Sequence, residues 1–297
     1  MAAVAVAAAL LATASTAMAD DIDGCTSYHT YIGSRTDCLN ASLTEVPRPL
    51  PRDLHILDLS HNNISTLSNT SLSHQPPLSS LEMLILDYNG ITFVHRDAFR
   101  HLTLLRAVYL RGNRITQLHR LTFFHNLRLQ ELFLSENPLV LPSNRGFLSV
   151  RLLLVLHMDG CNITHIPPSA FSETVRLRAL VLANNQISSL DERPFAPIPF
   201  LMFLNLSNNA LQTVPRDALS TLQNLIRLDL QDNRLQNIEV EALASLEGLR
   251  RLELDGNPLK CDCQLKPFRL WAQNRSLAAS ATCVNKKSWD TLLNLQC

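Results

Sequence analysis

From Leu54 to Leu259 the apolar residues of this chain recur in a fixed phase against the polar ones. In Leu225–Ile226–Arg227–Leu228–Asp229–Leu230, for example, Leu228 and Leu230 alternate with polar neighbours, which is the period of a half-buried strand. The two leucines are expected to point inward, and Arg227, Asp229 and Gln231 outward. Three positions past Leu230 stands Asn233, one of a series made up of Asn62, Asn89, Asn113, Asn137, Cys161, Asn185, Asn209, Asn233 and Asn257. Successive members are 24 residues apart, apart from a first interval of 27. A side-chain amide at that point can bond neighbouring backbone where the strand turns away. A second apolar column lies ten residues further on: Leu72, Phe99, Phe123, Phe147, Phe171, Phe195, Leu219 and Leu243. A lone strand of this kind cannot cover its apolar face, so every segment must stack on the next.

Laid out as L-x-x-L-x-L-x-x-N-x-L, the pattern resembles the leucine-rich-repeat signature, in which Asn or Cys fills the ninth position. The resemblance implies an α/β fold class: a right-handed solenoid, or horseshoe, of nine repeats of about 24 residues with a parallel concave sheet. The phenylalanine column predicts a thick convex side of irregular or short helical segments. Pro76–Pro77 fall in the long first interval, which places its extra residues in a convex loop. The expected organisation is a signal peptide over 1–19, an N-terminal cap over 20–53, the repeats over 54–259 and a cysteine-rich C-terminal cap over 260–297.

The ends of the chain carry the clues to its compartment. Residues 1–19 are alanine-rich and close on Ala17–Met18–Ala19 before Asp20–Asp21, the form of a secretory signal with its cleavage site, although without the usual positive charge. Cys25 and Cys38 precede the repeats, while Cys261, Cys263, Cys283 and Cys297 follow them. Six flanking cysteines read as disulfide-stapled caps in an oxidising compartment, and they allow about 15 connectivities. Caps are physically required, because each end of a stack otherwise exposes a sheet edge and open core. The segment Asn257–Pro258–Leu259–Lys260–Cys261–Asp262–Cys263, with Trp271, Cys283 and Cys297, is similar to the C-terminal cap of the extracellular leucine-rich-repeat superfamily of chondroadherin, the Nogo receptors and Slit. That resemblance implies Cys261–Cys283 and Cys263–Cys297 bridges, with Trp271 on a short helix over the last repeat. The N-terminal cap departs from the family's usual four cysteines, and one bridge is expected there. Sequons stand at Asn40, Asn63, Asn69, Asn162, Asn205 and Asn274. No apolar run after the caps is long enough to span a bilayer, and the expected location is secreted, in the extracellular space or matrix. A chain that stops at a cap cysteine also matches a receptor ectodomain.

Composition removes function classes more than it adds them. The chain is 46% hydrophobic with a formal net charge of zero, which gives no argument for nucleic acid. His157, Cys161 and His165 share a four-residue spacing, but on a strand and its following loop they point in different directions, and Cys161 reads as a buried structural thiol. Cys261 and Cys263 lie too close together for a zinc knuckle. No G-x-S-x-G, phosphate-cradling glycine loop or H-E-x-x-H occurs. No catalytic activity, cofactor or metal is expected.

The surface is more informative. Two outward strand columns run across the repeats: Ile56, Met83, Ala107, Glu131, Val155, Ala179, Phe203, Arg227, Arg251, and Asp58, Ile85, Tyr109, Phe133, His157, Val181, Asn205, Asp229, Glu253. Both are apolar in the middle and charged at the C-terminal end. Met83, Ile85, Tyr109, Phe133, Val155, His157, Val181 and Phe203 therefore form a candidate ligand-binding patch on the concave face, with Tyr109 and Phe133 as anchors. A basic band, Arg96, Arg100, Arg106, Arg111, Arg114, Arg120 and Arg128, faces one acid, Asp97, within the same stretch. Of these, Arg96, Arg100, Arg111, Arg114 and Arg120 are candidate glycan-binding residues. The expected function is a secreted recognition protein with an extracellular protein ligand. The alternatives are a structural matrix component held by sulfated glycans or fibres, or the non-catalytic subunit of a secreted complex.

Overall fold

The computed structural model describes residues 24–30, 33–73, 77–190, 193–284 and 288–297. The signal peptide expected over 1–19, and Pro76 of the long first interval, lie outside the described residues.

Each repeat contributes one short strand to a single sheet. The N-terminal cap is an antiparallel hairpin of β1 (Thr26–Thr30) and β2 (Gly33–Asp37). The repeats follow as β3 (Leu54–Asp58), β5 (Met83–Ile85), β7 (Ala107–Tyr109), β8 (Glu131–Phe133), β9 (Val155–His157), β10 (Ala179–Val181), β11 (Phe203–Asn205), β12 (Arg227–Asp229) and β13 (Arg251–Glu253). A final strand, β14 (Ala278–Ser280), is supplied by the C-terminal cap. Together they form a 12-stranded sheet that is parallel from β2 onward. Along the repeats the register is constant, so Val181 pairs with His157 on one side and Asn205 on the other. Side chains at equivalent positions therefore stack one strand spacing apart, about 4.8 Å. A second, two-stranded sheet, β4 (Thr66–Leu67) with β6 (Phe93–Val94), was not foreseen from the periodicity because each strand is two residues long.

The asparagine series holds these turns together. The Asn113 side chain donates from Nδ2 to the carbonyls of Leu110 at 2.9 Å and of Leu86, in the preceding repeat, at 3.0 Å. Its Oδ1 accepts the backbone N–H of Ile91 at 2.9 Å. Asn89, Asn137, Asn185, Asn209, Asn233 and Asn257 repeat this arrangement, and Asn62 ties the first repeat to Cys38 of the cap. Residues just before this series all adopt positive φ, whether glycine (Gly112, Gly160, Gly256) or not (His61, Tyr88, Glu136, Asn184, Asn208, Asp232). The tight turn fixes the conformation; the residue type does not.

The second apolar column, from Leu72 to Leu243, is fully buried. Phe99 and Phe123 stack with ring centres 4.8 Å apart, and Phe171 and Phe195 at 6.2 Å. The convex segments around this column are mostly turns, with one helical turn, α1 (Arg216–Leu219), and a 3-10 turn at Val240–Ala242. Large rings need the width that turns supply.

Both caps are stapled. Cys25 is joined to Cys38, Cys261 to Cys283, and Cys263 to Cys297. Helix α2 (Lys266–Asn274) lays Phe268 and Ala272 on the last repeat, and Arg275 lies over the Trp271 ring at 5.0 Å while donating to the carbonyls of Leu246 and Glu247. The open end of the core is closed by a helix, a strand and two disulfides.

Cys161 is free and completely buried, and burial pushes its thiol up to about 12. The thiolate is the reactive form, so this sulfur is doubly protected, by access and by protonation. Native protein treated with iodoacetamide at neutral pH should leave Cys161 unlabelled by mass spectrometry, with full labelling after denaturation. Rapid native labelling would contradict its inward placement.

Candidate functional site

The constant register brings the middle of both outward columns together on the concave face. Tyr109 of β7 and Phe133 of β8 are paired residues, and their rings stack with centres 4.3 Å apart and planes 5° from parallel. His157 of β9 extends the ladder, 4.7 Å from Phe133 and tilted by 36°. Met83, Ile85, Val155 and Phe203 flank them, all half-buried. Outward orientation did not mean full exposure everywhere. Ile56, Ala107, Val181, Asp229 and Glu253 were expected to face solvent, yet each is buried. Strands this close let larger neighbours cover them: Ala107 beneath Met83 and Glu131, Val181 between His157 and Asn205. Val181 therefore supports the patch and adds little surface to it.

Charges surround the rings unevenly. Glu131 stands opposite Ala107, and Asp87 lies two residues beyond Ile85, the partner of Tyr109, so both carboxylates are diagonal neighbours of the phenol. Burial, reinforced by Glu131 and then Asp87, pushes the Tyr109 hydroxyl up to about 12. Burial likewise raises Asp87, from 3.8 to about 6, against the opposing pull of the Arg111 backbone N–H that it accepts at 2.7 Å. Asp159 behaves differently. Burial would raise it, but His157 and the Ser135 hydroxyl, which donates at 2.5 Å, hold it below the usual carboxylate range.

A neighbouring constellation was missed at the sequence level. Tyr88 stacks on His61 at 4.8 Å, lies under the Arg111 guanidinium at 5.7 Å, and donates its hydroxyl to Glu136, two repeats away, at 3.1 Å. Arg111 bonds the same Glu136 at 2.5 Å. The signal was Gly112: a Cβ there would fall 2.2 Å from the Tyr88 ring, so the glycine leaves the space across which the tyrosine reaches.

The basic band is more dispersed than its sequence suggested. Counting acids along the chain gave only Asp97, but stacking brings acids from other repeats: Glu82 to Arg106 at 3.1 Å, Glu136 to Arg111, and Glu173 to Arg120 at 2.6 Å. Arg96 lies 3.8 Å from Asp97, while Arg100, Arg114 and Arg128 are exposed without an ion pair among the described residues. His119 is held below its ordinary value, first by burial and then by Arg96, Arg145 and Arg120, which marks a local cationic cluster. His157, Cys161 and His165 occupy the concave face, the core and an exposed loop. Asn40, Asn63, Asn69, Asn162 and Asn274 are exposed, whereas Asn205 is half-buried on β11 and accepts the Ser207 N–H at 2.8 Å.

Comparison with known proteins bears on this arrangement. A family model described as "Leucine rich repeat" matches residues 79–139, 104–163, 151–211 and 199–259, and a second of the same description matches 53–77. Leucine-rich repeat-containing protein 3B of Homo sapiens is 34% identical over 107 residues, 36% of this chain and 39% of that protein, so the matched stretch spans well under half of the relative. The crystal structure of human 5T4 (trophoblast glycoprotein) superposes with a TM-score of 0.64 at 27% identity, covering 88% of this chain and 92% of the other. The Drosophila Toll chain from its complex with Spatzle gives a TM-score of 0.57 at 27% identity, over 78% of this chain and 34% of Toll.

Asp87 supplies a test of the site's electrostatics. Its folded value of about 6 lies above its ordinary 3.8, so ionisation is disfavoured by folding. The resulting penalty is complete above pH 6, shrinks as pH falls through that value and vanishes below 3.8. Asp87→Asn should therefore raise the urea midpoint at neutral pH and leave it unchanged near the lower limit. An equal gain at both pH values would contradict the burial of this carboxylate.

Proposed function

The chain belongs to the leucine-rich-repeat family, and from that premise we propose that it is an extracellular recognition protein that binds a protein ligand on its concave face. The observation that carries this reading is the Tyr109–Phe133 pair, two half-buried rings stacked at 4.3 Å in the middle of the sheet. Their solvent-facing edges have no packing role in the core, and apolar area of this kind on a secreted chain is costly unless it is covered. Aromatic residues at the centre of an interface are the usual energetic anchors. The disulfide-stapled caps suit an oxidising compartment, and no helix among the described residues is long and apolar enough to cross a membrane. Toll, of similar fold, has been solved in complex with Spatzle, which makes a protein ligand a natural class for this face. A glycan on Asn205 would stand on the same face and confine the ligand to the repeats before it.

Tyr109→Ala and Phe133→Ala should each weaken binding of a partner isolated from extracellular extract by about 1–4 kcal/mol while leaving thermal unfolding cooperative. Unchanged affinity in both variants would move recognition to the convex side or the caps.

A second reading, attachment to sulfated glycans, is favoured by the cationic surroundings of His119. It centres on Arg96, Arg120 and Arg145, with Arg100 and Arg114 exposed nearby in sequence. Retention on heparin resin beyond physiological salt is the expected result, reduced by Arg96→Ala; elution at or below physiological salt removes this reading.

A further inference from the structure

We propose that the flank of the solenoid where the chain enters its strands is a second docking surface, separate from the concave face. Its partner is an acidic protein segment that also carries large apolar side chains. Just before β8 to β11 the chain makes the same turn in each repeat: the N–H of Leu129, Leu153, Leu177 and Leu201 closes on the carbonyl three residues earlier. Backbone bonds then link Gln130, Leu154, Arg178 and Met202 from one repeat to the next. Equivalent residues of these turns therefore stack on one another. The four leucines are buried, and the residues just before them face outward.

Those outward residues alternate in two directions. Leu127 precedes Arg128, Arg151 precedes Leu152, and Val175 precedes Arg176, all six exposed. Each apolar side chain thus has a cation beside it along the chain and another across the repeat. Exposed Phe200 and Met202 continue the surface, with Arg178 over the Phe200 ring at 5.7 Å and 3.6 Å from the Met202 sulfur. Phe124, Leu127, Arg151 and Leu152 line a hollow between two repeats. Leu127 is 73% and Phe124 52% exposed, more than either half-buried ring of the Tyr109–Phe133 stack.

Charge complementarity selects the occupant. Segments 124–130, 148–154, 172–178 and 196–202 hold Arg128, Arg151, Arg176 and Arg178 against one acid, Glu173, which is already bonded to Arg120 at 2.6 Å. None of these four arginines has an ion-pair partner among the described residues. No sequon falls in these segments, whereas Asn63 and Asn162 stand past the strands, at the opposite edge of the sheet. A wholly apolar partner would desolvate the guanidinium groups without compensation. A second copy meeting this one across a two-fold axis would set the same patch against itself and double its positive charge. A segment with carboxylates among leucines or phenylalanines answers both halves, since carboxylates take bidentate bonds from arginine.

The test uses the disulfide-intact protein and a short peptide in which leucine and glutamate are interspersed. Three control peptides replace its leucines by serine, its glutamates by glutamine, or its glutamates by lysine. Calorimetric titration should show the leucine–glutamate peptide binding about tenfold tighter than each control. Leu127→Ser with Leu152→Ser should erase that preference. Arg151→Glu with Arg176→Glu should reverse it in favour of the lysine peptide. All four positions are exposed, so neither pair of substitutions opens the core. Tyr109→Ala should leave this titration unchanged, so failure here and failure of the concave-face reading are told apart. Equal binding of the serine and leucine peptides would reduce the flank to a cationic surface and overturn the proposal. Binding lost in Tyr109→Ala but indifferent to the flank variants would overturn it and keep the concave face. Capture by phosphatidylserine vesicles without peptide binding, or no peptide binding at millimolar concentration, also overturns it.

Discussion

A strand of three residues followed by a tight turn leaves backbone carbonyls inside the molecule with no neighbour to pair them. Everything else in this fold depends on the buried asparagine that answers them. Its amide reaches one carbonyl of its own turn and one of the turn before, and its oxygen takes an N–H from the preceding repeat. An unpaired buried group of this type costs about 1–3 kcal/mol, so each such side chain contributes to the stacking of its turn on the one before. Because the bonds run between repeats as well as within them, they also set the register. With one such side chain per turn, every 24th residue is a neighbour in space.

The recognition surface follows from that register. Residues far apart in sequence become rungs of a ladder, which is how Tyr109, Phe133 and His157 form one run of rings from three repeats. The same geometry balances charge locally. Towards the C-terminal end, Arg251 bonds Glu253 and Arg227 lies between Asp229 and Glu253, so that end is internally neutralised. In the middle, acids and aromatics share the face without equivalent cations. The solenoid supplies a rigid frame, and the choice of side chain in each rung gives the frame its chemical character.

Most of the frame was legible in the sequence because its determinants are periodic. Leucine spacing gave the strands, the asparagine series gave the turns, and the phenylalanine column gave the thick convex side. What escaped was local or lay across the repeat. Strands β4 and β6 are two residues long and leave no periodic trace. The burial of Ile56, Ala107 and Val181 depends on the size of neighbours one strand away, which an alternation rule does not weigh. The salt bridges of Arg106, Arg111 and Arg120 connect positions 24, 25 and 53 residues apart, so reading charges along the chain overstated the basic band. The Tyr88 cluster required noticing that a glycine one repeat later could matter for the room it leaves.

Cys161 interrupts the asparagine series in its fifth member. Its sulfur still reaches the Leu134 carbonyl at 3.3 Å, but a thiol has no oxygen to offer the turn before it. The N–H of Leu139 consequently closes on Asn137 of its own repeat at 2.8 Å, the same local bond that Leu259 makes to Asn257 after the final repeat. In hydrogen-bonding terms the fourth repeat ends as though the array stopped there. Solenoid stability is a sum over nearest-neighbour interfaces, and this one lacks a clasp that its neighbours possess. The missing clasp lies between the fourth and fifth repeats, beneath Phe133 and His157, in a sheet that is otherwise continuous. The strand pairing of Phe133 with His157 is what carries the stack across that place.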